Sequence, residues 1–366
     1  MVWFSIHVHY HEPELDGLIL DAVRPYFDEV GSAVETAYFI RHWRQGPHLR
    51  LHLRTDPETF DQVVHPAARE IVGGYLARRP STTRLDPHRL LPLHQQLSLL
   101  ERDDGPLLPW IPNNTLRTAA YERRLEVLGS VEAADLLADF LASTTGQAFQ
   151  MTEHVRRGGQ RLRLAFDLMI AVAHVSSGVG LSAGSASYRS HAEAFLTSGF
   201  AGSATREAWD RHYRAHRREL VGRVRDIVAQ LDGGTVAVPF VAAWVEVLER
   251  YRARGRELIE AGRMSMDPPA PRGKAWNAPP LSERSPFHRE FETSEWFARY
   301  VRHSSWFAAY RLALSYTYLH LTRLGVTPGQ RFLLCHLAAN AAEELYGVSA
   351  VDLVPQPSTP PRRGVR

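Results

Sequence analysis

Residues 48–55 read His-Leu-Arg-Leu-His-Leu-Arg-Thr, and this alternation constrains the fold more than any other stretch. Successive side chains of an extended strand point to opposite faces. Leu49, Leu51 and Leu53 then share one face, and His48, Arg50, His52 and Arg54 share the other. The leucines need a core and the cations do not, which fits one strand of an antiparallel sheet. Residues 37–43 alternate as well, and Gln45-Gly46-Pro47 supplies turn chemistry, so 37–54 reads as a hairpin. Residues 2–10 ("VWFSIHVHY") predict a further strand. Amphipathic helices are predicted over 15–30 and near 57–78.

Beyond this opening the pattern becomes helical. Ser130 reads as the cap of a helix over 130–143, and 161–175 has similar spacing. In 205–231, Trp209, Tyr213, His216, Leu220, Val224 and Ile227 form one apolar stripe, with arginines and acids interleaved on the solvated face. Another helix is predicted over 241–261. Residues 265–287 are rich in proline and read as a long ordered loop. Three helices close the fold near 293–303, 305–324 and 328–346. Gly325 ends the second of these, Pro328 opens the third with Thr327 as cap and Gln330 completing a capping box, and Gly347 ends it. The fold class is therefore α+β: an N-terminal antiparallel sheet with flanking helices, packed on a larger, mainly helical part. One unit is expected over 1–354, with the sheet in 1–125 and the helical part in 126–354. A disordered tail is expected over 355–366.

Composition excludes several functions. Cys335 is the only cysteine, so neither an internal disulfide nor a thiolate metal site is expected. Charged residues make up 23% of the chain and the net charge is +3, with arginines mixed among acids, so a nucleic-acid-binding role is not expected. No apolar run approaches the ~18 residues of a membrane span, and no basic segment leads into an apolar one at the N-terminus. A cytoplasmic protein without membrane association is the expectation. The small-residue stretch "SSGVGLSAGSAS" (176–187) lacks the lysine of a phosphate loop, and no stretch reads as the His-Glu-x-x-His paired-histidine helix of a zinc enzyme. No metal and no cofactor are expected.

Some residues are placed for chemistry. On helix 305–324, Arg311, Ser315, Tyr318 and Thr322 fall on one polar face of an otherwise apolar helix. That face suits either the wall of a polar cavity or a tyrosine hydrogen-bonded within the core. His288, whose side chain ordinarily titrates near pH 6.5, could serve as a general acid or base beside Ser285, or Ser285-Pro286 could simply start a helix. In "SYRSHAEAFL", Arg189, Ser190 and His191 are further candidates, with Ser190 also readable as a helix cap. The cation face of 48–54, next to Arg41 and Arg44, fits a dock for an acidic peptide, a solvated face, or arginines paired internally with acids such as Asp21 or Glu29.

The stretch "AYFIRHWRQGPHLRLHLR" (37–54) resembles the entry segment of the C-terminal elimination domain of lantibiotic dehydratases. "YERRLEVLGSVEAA" (121–134), "SYRSHAEAFL" (187–196), "SPFHREF" (285–291) and "YLHLTRLGVTPGQR" (318–331) resemble its stand-alone members from thiopeptide clusters, in the expected order. Elimination members carry a histidine at the start of a His-Met-x-x-Asn-Arg pattern. Here Tyr318 stands at the histidine position and Thr322 at the asparagine position. The resemblance therefore implies a pyridine synthase. Such enzymes join two dehydroalanines of a modified precursor peptide in a formal aza-[4+2] cycloaddition. Water is then lost and the leader peptide leaves as an amide, which closes a macrocycle. On this reading Tyr318, Ser285, His288, His191 and Arg189 are the catalytic candidates. Arg41, Arg44, His48, Arg50, His52 and Arg54 would meet the leader, which is commonly acidic in this class. Arg311, Ser315 and Thr322 would line the substrate site. Two other readings are glutamate elimination from glutamylated Ser or Thr, and a non-catalytic leader-binding scaffold that recruits other maturation enzymes.

Overall fold

The computed structural model describes residues 1–267 and 279–353. Four strands, β1 (Val2–His9), β2 (Thr36–His42), β3 (His48–Thr55) and β4 (Thr115–Ala119), form one antiparallel sheet in the order β2-β3-β1-β4. β1, β2 and β3 follow the expected positions. β4 had no reading in the sequence: it is short and lies at the sheet edge, where alternation is under little pressure. The β2–β3 turn passes through Gln45 and Gly46, both at positive φ (59° and 104°).

The register assigns the two faces. His9 pairs with His48, His7 with Arg50 and Ser5 with His52, while Ile6 pairs with Leu51 and Val8 with Leu49. Ile6, Val8, Phe39, Leu49, Leu51 and Leu53 are fully buried on the apolar face. Each such side chain contributes roughly 1.5–3 kcal/mol relative to exposure. Helix α1 (16–30) and helix α2 (57–78) occupy the expected spans. Phe60 of α2 stacks on Phe4 at 3.9 Å between ring centroids. Asp56 caps α2 through the Thr59 N–H, with Pro57 at the first helical position. The same Asp-Pro start opens α3 (Pro87–Glu101), a helix the sequence left unread because Pro92 interrupts its interior.

Further helices follow: α4 (Val131–Ser143), α5 (Thr145–Arg156), α6 (Arg161–Val175), α7 (Ala186–Leu196), α8 (Thr205–Leu231), α9 (Val241–Glu260), α10 (Pro286–Thr293), α11 (Ser305–Arg323) and α12 (Pro328–Tyr346). Ser130 caps α4 as expected. Of the predicted long loop, 268–278 lie outside the described residues, and helical turns begin at Leu281 and again at Pro286. The start at Pro286 is the Ser-Pro signal acting as a cap. The predicted tail from 355 also lies outside the described residues. Gly325, at φ 90°, ends α11 with the Gly325 N–H on Thr322 O and the Val326 N–H on Leu321 O.

Two compact units emerge. The first comprises Met1–Ala165, the described part of Val247–Trp276, and Ser315–Pro328. The second comprises Phe166–Glu246, the described part of Asn277–Leu314, and the described residues from Gly329. The first holds the sheet, α1 to α5 and the C-terminal half of α11. In it Phe39 stacks on Phe149 of α5 at 5.5 Å, and Phe140 of α4 packs on Tyr316 at 4.4 Å. The second is helical. Phe195 stacks between Trp209 and Phe332, at 5.6 and 4.7 Å. In the second unit the small-residue stretch serves close packing: a Cβ on Gly184 would collide with Ala173 O. Among the described residues, no single helix is long and apolar enough to cross a membrane.

Candidate active site

The polar face predicted for α11 exists. Between Arg311 and Arg323 the half-buried positions are Arg311, Ser315, Tyr318 and Thr322; Leu319 is exposed and the others are buried. Arg311 belongs to the second unit and the other three to the first. The Thr322 hydroxyl donates to Tyr318 O at 3.0 Å, so it serves its own helix. Arg323, the arginine of the motif, is an anchor that the sequence reading did not single out. It is 1% exposed. Its NH1 donates to Leu141 O (3.0 Å) and Thr144 Oγ1 (2.9 Å), and its NH2 donates to Thr145 Oγ1 (2.8 Å). Its guanidinium lies 4.8 Å over the Phe39 ring. Burial pushes it down to about 9, with Tyr38 opposing. Arg323 thus pins α11 at the α4–α5 corner and fixes the azimuth of Tyr318.

In the second unit, α7 and α10 bring Ser190 and His288 together: Ser190 Oγ lies 3.0 Å from His288 Nε2. Ser190 is in the interior of α7, so it is not the cap that its sequence suggested. The helix begins a turn earlier, at Ala186, which leaves the Ser190 hydroxyl available to a partner. Ser285 is fully buried and caps α10, with the His288 N–H donating to Ser285 Oγ at 3.4 Å. That contact is to the His288 backbone, so it fixes the start of the helix that carries His288. Burial lowers His288, with Glu193 and Glu292 opposing. Its Nδ1 is buried without a hydrogen-bond partner among the described residues. A neutral imidazole on a serine hydroxyl can accept or relay a proton near neutral pH. Burial, then Arg331, Arg311 and His288, push His191 down to about 4. Arg331 joins the candidate residues here; it sat in a family-like stretch, but no spacing rule marked it. Arg189 does not: its Nε and NH2 donate to the Glu343 carboxylate at 3.0 and 2.7 Å, and NH2 also donates to Asn340 Oδ1 at 2.6 Å. A guanidinium held by a two-pronged carboxylate pair braces α7 against α12.

The cation face of β3 is not an open dock. His48, Arg50 and His52 are 2–4% exposed, and Arg54 alone of the four is partly exposed. The segment after β4 covers them: Tyr121 stacks on Trp3 at 5.0 Å, and Glu122 Oε2 accepts from Arg50 NH1 at 3.1 Å. Arg44 pairs with Glu122 Oε1 at 2.6 Å and with Asp103. Burial raises Asp103, but hydrogen bonds from His42 and Arg44 outweigh it and hold the carboxyl well below its usual range. The acids are Glu122 and Asp103, in place of the expected Asp21 and Glu29. Arg54 lies 3.3 Å from Glu35. Arg41 falls on the opposite, apolar face, where its Nε donates to Arg323 O at 3.0 Å and its NH2 lies 3.7 Å from Asp16.

The polar face of the sheet also holds the residues that could take a metal ion: His7, His9 and His48 each offer a ring nitrogen within 4.8 Å of the others. Burial, then Arg50, lowers His7 to about 2, and burial, then Arg117, lowers His9 to about 3. These rings are neutral.

The chain matches the family model described as lantibiotic biosynthesis dehydratase C-term over residues 3–342. Among solved structures it is similar to the pyridine synthase TbtD from thiomuracin biosynthesis, with 39% identity, 95% of this chain and 99% of that chain covered, and a TM-score of 0.78. It is also similar to TsrL, with 23% identity, 98% and 99% covered, and a TM-score of 0.70, a likeness that bears on the fold alone. No curated protein sequence matches significantly. With a family match across nearly the whole described chain, the protein belongs to the lantibiotic dehydratase C-terminal family.

Proposed function

We propose that this protein is a pyridine synthase of thiopeptide biosynthesis. Its substrate is a modified precursor peptide that carries two dehydroalanines and a leader. One amide tautomerises to an iminol, the resulting azadiene adds to the second alkene, and a six-membered ring closes. Loss of water and of the leader as a carboxamide gives the pyridine and the macrocycle. The observation that carries this reading is Tyr318. A full-length likeness to a pyridine synthase coincides with a tyrosine where elimination members bear a histidine.

The residues suit such chemistry. The half-buried Tyr318 phenol can donate to the amide oxygen as it tautomerises, or to the departing hydroxyl. Within the second unit, the Ser190–His288 pair is a neutral proton acceptor with a bound hydroxyl. Orientation of the two alkenes supplies the larger share, roughly 7–11 kcal/mol in favourable cases, against about 10²–10⁴-fold from one proton-transfer group.

The test is mass spectrometry of a dehydroalanine-bearing precursor incubated with the protein alone. The expected result is free leader amide with a macrocycle lighter by that leader and one water. Loss of glutamate from a glutamylated precursor would replace this reading with elimination. Binding without any mass change would replace it with a scaffold.

A further inference from the structure

The histidines on the polar sheet face have a geometry that a docking surface does not explain. His7 and His9 are two apart on β1 and so share a face, and the β1–β3 register sets His48 directly opposite His9. The ring centroids of His7 and His9 lie 4.9 and 4.4 Å from that of His48. The three residues are 5%, 0% and 2% exposed. Both ring nitrogens of His9 and Nδ1 of His7 are buried without a hydrogen-bond partner among the described residues. A buried ring nitrogen left without a partner is unfavourable, and a ligated ion would remove that cost. His48 Nδ1 lies 2.8 Å from Gly46 O. A carbonyl only accepts, so Nδ1 carries the proton and Nε2 keeps its lone pair. A ring N–H held by a backbone carbonyl, with the lone pair of the other nitrogen turned towards neighbouring ligand atoms, is the usual outer-shell arrangement of a metal-bound histidine.

We propose that His7, His9 and His48 bind a first-row divalent transition-metal ion, zinc foremost, which clamps β1 to β3 on the polar face of the sheet. Three neutral imidazoles select such ions over magnesium or calcium. The competitor is Arg50, whose Nε donates to His48 Nε2 at 3.2 Å. Metal entry displaces that contact and leaves Arg50 on Glu122. Arg117, opposite His7 in the β1–β4 register, adds a second positive charge. The site is therefore weaker than a three-histidine site with no cation beside it.

The experiment uses the full chain without an affinity tag, stripped with chelator and dialysed. His212 and His216, exposed on α8 with ring centroids 4.3 Å apart, could chelate metal by themselves. They are replaced by Gln in the parent protein. Zinc is titrated against a chromophoric chelator, and cobalt is followed by visible absorption. The expected result is one equivalent of zinc per chain, an intense four-coordinate cobalt band, and a zinc-dependent rise in Tm. All three should be lost in His9→Gln. No bound equivalent in the parent, or an equivalent that His9→Gln leaves intact, overturns the proposal. If His9→Gln does not fold, the parent's cobalt spectrum decides, and a weak six-coordinate band overturns it.

Discussion

Ser190 Oγ and His288 Nε2 lie 3.0 Å apart across 98 residues of sequence, one on the interior of a helix and the other in the first turn of another. On the proposed function, this pair handles a proton in the second unit. In His288→Gln, turnover of the precursor should fall about 100-fold with KM little changed, and in Ser190→Ala about tenfold. The double variant should be no worse than His288→Gln, because the two act as one device. Additive losses would mean that they work separately.

Tyr318→Phe keeps the ring and removes the hydroxyl. Turnover should drop about 10–100-fold without vanishing, since positioning of the alkenes outweighs one proton donor. Tyr318→Ala should be worse, because it also changes the shape of the polar face. Steady-state kinetics on the two variants separates shape from proton transfer; complete inactivity of Tyr318→Phe with substrate affinity intact would make the phenol an obligate acid or base.

Arg323→Lys should destabilise the protein by about 2–4 kcal/mol, because one ammonium cannot reproduce three hydrogen bonds to the α4–α5 corner. Urea unfolding reads this directly. An unchanged midpoint would mean that water or a neighbour replaces the guanidinium.

Arg50→Ala should cost about 1–3 kcal/mol of stability by breaking the contacts to Glu122 and His48. Affinity for an isolated leader peptide should stay the same at low and high salt. A selective loss of leader affinity at low salt would restore the docking role of the polar face.

Acid should weaken the fold through its neutral histidines. Burial, then Arg189, lowers His336 to about 4 despite Asp210 at 3.0 Å, and burial, then Arg323, holds His320 well below its usual value. Unfolded histidines titrate near 6.5, so below that pH the unfolded chain binds more protons than the folded one. Stability is then complete above about pH 6.5 and falls towards pH 4, by roughly 1.4 kcal/mol per pH unit for each histidine. Urea midpoints at pH 7.5 and 5 should differ clearly, and His320→Met should reduce the slope by about one proton.

Local patterns predicted local facts well. Alternation in 48–55 assigned every side chain of β3 to its face, and the i, i+4, i+7 spacing picked out the half-buried positions of α11. What it could not convey was which surfaces are covered from afar. Arg50 meets Glu122, 72 residues away, and Arg189 meets Glu343, 154 residues away. Neither acid stands at a helical or strand spacing from its arginine, so a buried, neutralised arginine looked like an exposed or catalytic one. His7 and His9 of β1 meet His48 only through the sheet register, which no local spacing conveys. Ser190 resembled a cap because its true partner, His288, lies on another helix.

The chain enters the first unit, leaves it at residue 165, and returns at 247 and again at 315. The guanidinium that pins Leu141 and Thr144 arrives only on the last of these visits. The α4–α5 corner, made early in the chain, therefore lacks its guanidinium anchor until residue 323 has been synthesised.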